Sequence, residues 1–158
     1  IVSIVAAIAV PRYGQAMGRY HIKLAAARVA ADLTLARRQA KLTSTAQRFV
    51  VNADSYSMPN VAHVDRSSGT YAVDLSAEPY GAGILTVNLG GDGELVFDGY
   101  GVADTDGSVT VGLNGQYVTV TLDSASGQIT VSDLHRIAVV LPPTDPGPID
   151  IVPVIPGF

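Results

Sequence analysis

One proline divides the first forty residues of this chain, and what stands on either side of it limits the possible folds most. Before Pro11 lies an uncharged apolar run, Ile1-Val-Ser-Ile-Val-Ala-Ala-Ile-Ala-Val10; after it, Tyr13 to about Thr43 reads as a long Ala/Arg-rich helix, and only then does a β-rich body begin. Ten helical residues span about 15 Å, half of the roughly 30 Å of bilayer hydrocarbon. Ile1 to Val10 therefore cannot cross a membrane alone. Either they belong to a longer apolar helix or they pack against copies of themselves, and both alternatives point to polymerisation rather than to chemistry. The residues that would drive it are Ile1, Val2, Ile4, Val5, Ile8 and Val10, ended by Pro11.

Beyond the proline, Ile22, Ala25, Ala26, Val29, Leu33, Ala36 and Ala40 recur at three- and four-residue steps and form one apolar stripe. Ile22, Ala26, Val29, Leu33 and Ala36 are the residues expected to pack the helix on the body. Arg28, Asp32, Arg38 and Lys41 read as lying off the stripe. Alanine favours helix intrinsically and lets neighbouring backbone come close. Gly14 and Gly18 weaken the helix, and Pro11 removes an amide donor, so a kinked or melted stretch is expected near residues 6–18.

After Ser44 short strands and turns take over, with strands expected near 47–52, 55–58, 70–75, 83–89, 94–98, 108–113, 116–122, 127–132 and 136–141. Asn114-Gly115, flanked by β-branched residues, predicts a two-residue type I′ hairpin, because both positions tolerate positive φ. Asp123-Ser-Ala-Ser-Gly127 closes a second hairpin, giving a three-strand antiparallel meander. Residues 142–158, PPTDPGPIDIVPVIPGF, hold six prolines and are apolar. The prolines bar a helix or a central strand, and the apolar character is unlike that of a disordered linker. The expected state is extended, in a groove of its own body or of a neighbour's, with Ile149, Ile151, Val154 and Phe158 as the contact residues. The fold class is α+β: helix 1–46, antiparallel β body 47–141, extended tail 142–158.

Charge is split sharply. Residues 1–48 hold eight Lys/Arg against Asp32 alone, net +7, whereas residues 49–158 hold two against thirteen acids, net −11. A basic helix and an acidic body attract, within a subunit or between neighbours; a solvated basic face and nucleic-acid binding are the alternatives. With no cysteine there is no disulfide and no thiolate metal site, so durability must come from packing or assembly.

Chemistry finds little support. His21, His63 and His135 are far apart in sequence, and no nucleophile elbow, phosphate loop or zinc-protease motif occurs. Asp104 and Asp106 sit in an acidic loop and are candidates for calcium, although the glycine stands at the wrong offset for an EF-hand. No cofactor and no enzymatic activity are expected.

The run IVSIVAAIAVPRY followed by LAAARVAADLTLARRQA resembles the N-terminal helix of type IV pilins and of type II secretion pseudopilins. Pro11 fits the family proline, and the match places Ile1 downstream of the family's leader junction and glutamate. Gly93-Glu-Leu-Val-Phe97, Gly101 and Gly127-Gln-Ile-Thr-Val131 resemble the body of the H-type minor pseudopilin, as does Leu35-Ala-Arg-Arg-Gln-Ala40 on the helix. The likeness ends near Val131, so the tail is an addition. What the resemblance implies is a structural subunit of an extracellular type IV pilus-like filament, displayed at the cell surface. Its partners would be identical subunits, with other pilins or pseudopilins, and its precursor would pass through the cytoplasmic membrane. Two alternatives are a minor pseudopilin that caps or initiates a type II secretion pseudopilus, and a DNA-binding minor pilin. The last is disfavoured because an exposed body of net −11 repels phosphate, so no nucleic acid is expected as a partner.

Overall fold

The computed structural model describes residues 2–62 and 69–137, with the backbone alone for residues 2–13 and Gln15. A single helix, α1 (Val2–Thr43), is followed by nine strands: β1 (Gln47–Asn52), β2 (Ser55–Ala62), β3 (Thr70–Asp74), β4 (Gly83–Leu89), β5 (Glu94–Phe97), β6 (Gly107–Leu113), β7 (Gln116–Leu122), β8 (Ile129–Val131) and β9 (His135–Arg136). They form two antiparallel sheets. One has the order β3-β2-β1-β5, the other β4-β6-β7-β8, with β9 also paired to β7. The helix lies chiefly against β1, β6, β7 and β8 and so closes the core from one side.

The melted stretch expected near Pro11 is not present: α1 is helical without a break from Val2 to Thr43. A proline deletes only one amide donor, and the remaining backbone bonds on either side, with Ala6, Ala7 and Ala9 before it, carry the helix through. The helix stops at Ser44, whose φ of 52° is left-handed. Lys41 in the last turn complements the negative end of the helix dipole.

Helical and strand periods meet in one core. Ile22, Ala25, Ala26, Val29, Leu33, Ala36 and Ala40 are all buried, against Phe49, Tyr56, Met58, Tyr71, Leu95 and Phe97 of the first sheet and Val109, Val111, Val118, Val120 and Leu122 of the second. Small residues on the stripe allow close approach, so the large side chains come from the sheets. Phe49 and Tyr56 stack with centroids 4.8 Å apart. The β6–β7 hairpin has Leu113 opposite Gln116, with Asn114 and Gly115 at φ 52° and 72°, the left-handed pair that a type I′ turn demands.

Three strands differ from expectation by more than one residue at a limit. β2 continues past Pro59 to Ala62, and the missing proline donor shows as a register shift between Met58 and Ala62. β8 starts at Ile129 rather than at Gly127, because Gly127 is held at φ 67° in the preceding loop. Of the strand expected over 136–141, the described part is His135–Arg136; the rest, like the tail, lies outside the described residues.

Candidate assembly interface

The one acid of the basic helix is the first surprise. Asp32 was expected off the apolar stripe, yet it is only 4 % exposed. A carboxylate taken out of water must find donors, and three converge on Oδ2: Tyr56 Oη (2.6 Å), Tyr71 Oη (2.8 Å) and Arg28 Nε (3.1 Å). Arg28 also donates through Nη2 to Tyr71 Oη and lies over that ring at 5.8 Å. Burial, and then the charge and hydrogen bond of Asp32, push the Tyr56 hydroxyl well above its ordinary range; burial and the same carboxylate push Tyr71 up to about 12. This node fastens α1 to β2 and β3. Its signal in the sequence is that Asp32 is the only acid among the first 48 residues, where a purely solvated face would not need one.

A second fastening uses Arg37. Its Nε donates to the Gly101 carbonyl (3.2 Å) and its Nη1 to the Gly127 carbonyl (2.5 Å), so one guanidinium holds the β5–β6 and β7–β8 connections. Both partners are glycines at which a side chain would be strained and would displace the arginine or lysine beside it. Each has positive φ, and a Cβ at Gly127 would stand 2.4 Å from Arg37 Cζ, one at Gly101 2.5 Å from Lys41 Cε. The sequence segments that carry the family likeness, around residues 35–40, 101 and 127, thus meet at a single point.

Where the remaining candidates fall is plain. Ile22, Ala26, Val29, Leu33 and Ala36 face the body. The side chains of Val2, Ile4, Val5, Ile8, Val10 and Pro11, and all of Ile1, lie outside the described residues, as do Ile149, Ile151, Val154 and Phe158. The body covers the helix from Gly18 onward; Gly14, Ala16 and Met17 are exposed. Among the described residues no helix is long and apolar enough to cross a membrane.

Charges and ligands complete the surface. Among the described residues the ion pairs are Arg28–Asp32 and Arg48–Glu94 (2.7 Å), so the helix cations Arg19, Lys23, Arg38 and Lys41 make none with the acidic body. Asp104 accepts from Val96 N, and Asp106 accepts from the amide and hydroxyl of Ser124, which depress its pKa. Both carboxylates are thereby occupied in holding turns, and the described residues contain no group of three His, Asp or Glu that could hold a metal. His21 donates through Nδ1 to the Tyr80 carbonyl (2.9 Å), and His135 stacks on Tyr117. His63 lies outside the described residues. Large apolar side chains are exposed at both ends of the covered helix: Met17 and Tyr20 at one, Leu42 and Tyr100 at the other.

The family model described as Type II transport protein GspH matches residues 25–131, from the covered helix through β8. No curated protein matches the chain in sequence. Two crystal forms of the Pseudomonas aeruginosa (strain PAO1) type IV minor pilin FimU share the fold. One aligns with a TM-score of 0.56 at 17% identity, covering 73% of this chain and 90% of that one. The other gives 0.53 at 16% identity, over 70% and 92%.

Proposed function

The chain belongs to the GspH family of type II transport proteins, and from that premise we propose that it is a structural, non-enzymatic subunit of a pilin-like helical filament, serving there as a minor subunit that caps or initiates a type II secretion pseudopilus. The observation that carries the reading is the match over residues 25–131, which takes in the covered helix from Ala25 on and every described strand but the last. The helix leaves the body at Gly18 and continues toward Val2, and the apolar sequence there is the part that would enter a filament. Burying those residues against copies of the same helix would stabilise assembly by about 25 cal/mol per Å² of apolar surface removed from water. A head-to-tail contact that does not close on itself generates a helix of subunits.

The main-subunit reading draws on a different observation. A basic helix whose cations make no ion pair with the acidic body among the described residues offers identical copies two complementary surfaces. Either way the filament would lie at or beyond the cell surface or span the envelope, and the acidic body argues against DNA as a partner.

Electron microscopy of natively isolated filaments, labelled with an antibody to the β body, tests the choice. Label confined to filament ends, on fibres built mainly of another protein, is expected for the minor subunit. Label along the full length would transfer the assignment to the main subunit, and folded protein found in no filament would reject both.

A further inference from the structure

The last described strand ends beside the helix. β9 runs antiparallel to β7, with Arg136 opposite Gln116, and Ile137 N then donates to the Gly115 carbonyl (2.8 Å). The described chain therefore ends beside the Asn114-Gly115 turn. That turn abuts α1: a Cβ placed on Gly18 would lie 3.8 Å from Asn114 Nδ2 and 4.0 Å from Leu113 Cδ2. Residues 138–158 start next to the point where the helix emerges from its body.

At that point the helix presents surface that no described residue covers. Tyr20 is 62 % exposed and Met17 42 %, and Arg19 and Lys23 are exposed with no ion pair among the described residues. The two segments are opposite in charge: residues 11–23 carry Arg12, Arg19 and Lys23 and no acid, whereas residues 138–158 carry Asp145 and Asp150 and no base. Both are also rich in apolar side chains, so contact would remove apolar surface from water while pairing the charges. Reach is ample. An extended, proline-rich segment advances about 3.1 Å per residue, so residues 138–158 would reach up to about 65 Å if extended, against about 24 Å of helix from Gly18 to Val2. A short tether also holds the segment at millimolar effective concentration near its own helix, which favours that helix over a neighbour's. Leu42 and Tyr100, exposed at the other end of the covered helix, stand about 36 Å from Gly18 along α1.

We propose that residues 138–158 dock on the uncovered face of their own α1 around Met17 to Lys23, with apolar side chains against Met17 and Tyr20 and with Asp145 and Asp150 facing Arg19 and Lys23. The segment then covers apolar helix surface in the free subunit. This inference stands independently of the filament reading, because it concerns a single chain.

The absence of native cysteine makes the test direct. In the otherwise intact, dilute protein, Tyr20→Cys is combined in turn with Ile149→Cys, Ile151→Cys and Val154→Cys and mildly oxidised. Tyr100→Cys with each of the same three serves as control. The expected result is a disulfide within one chain for at least one Tyr20 pair, formed at least tenfold faster than any Tyr100 pair. The rate should fall at high salt and with Asp145→Lys plus Asp150→Lys, and recover when Arg19→Glu and Lys23→Glu are added. Disulfides only between chains would assign the segment to a neighbour and overturn the proposal. So would equal rates for the two sets, no disulfide in any pair, or a rate indifferent to charge. Circular dichroism of each variant confirms that the body is folded when the rate is read.

Discussion

Tyr56, Tyr71 and Arg28 all direct hydrogen bonds to a single oxygen of Asp32, and the carboxylate gives up its hydration to receive them. A buried charge of this kind adds little against an apolar replacement of the whole group, but removing one member is costly, because the others are left buried and unpaired. Asp32→Ala is therefore predicted to cost about 3 kcal/mol, and Tyr56→Phe about 2 kcal/mol, in urea unfolding followed by circular dichroism. A loss below ~0.5 kcal/mol for Asp32→Ala would mean that water reaches the site. The tyrosines add a pH signature. Tyr71 is pushed up to about 12, whereas an unfolded tyrosine titrates near ~10, so the fold favours the neutral hydroxyl. Its contribution is complete below the unfolded value and is lost as pH rises through the folded one. Stability should thus fall between about pH 10 and 12, and Tyr71→Phe should flatten that decline while lowering stability at neutral pH.

At the scale of elements, Arg37 ties two connections to the helix through the carbonyls of two glycines at positive φ. Arg37→Ala is predicted to lower stability by about 2 kcal/mol and to speed amide exchange in the 98–106 and 123–128 loops while the amides of β1 and β7 stay protected. Uniform acceleration across both sheets would show instead that the residue supports the whole core. Much at this scale was legible before the structure. The helix stripe from Ile22 to Ala40 shows through its period, and the β6–β7 hairpin through Asn114-Gly115, because each is fixed by neighbours in sequence. The α+β class, with one helix on antiparallel sheets, was readable in the same way. The division into two sheets was not: β5 pairs with β1 across more than forty residues and β4 with β6, and neither pairing leaves a local trace. Continuity of α1 through Pro11 and of β2 past Pro59 was also missed, since a lost donor costs one bond and surrounding residues can carry the element on. Asp32 was misplaced for the opposite reason: its position in the helix is local, but its partners come from β2 and β3.

For the molecule as a whole, the described core takes from the helix only residues 22–40, all C-terminal of Gly18. Stability and assembly should therefore separate. A charge placed among the apolar residues before Pro11 would have to be buried unpaired in any helical bundle, at a cost of several kcal/mol, whereas the described core of the body draws on the helix only from Ile22 onward. The most direct test of the account is to express Ile8→Asp beside the unaltered chain in cells that make the filament and to measure how much of each enters isolated filaments, with urea unfolding of the purified variant as the parallel readout. The account predicts that Ile8→Asp is absent from filaments while the unfolding midpoint of its body is unchanged. Incorporation of the variant at the level of the unaltered chain would contradict it, because the helix before Pro11 would then not be what builds this protein into its assembly.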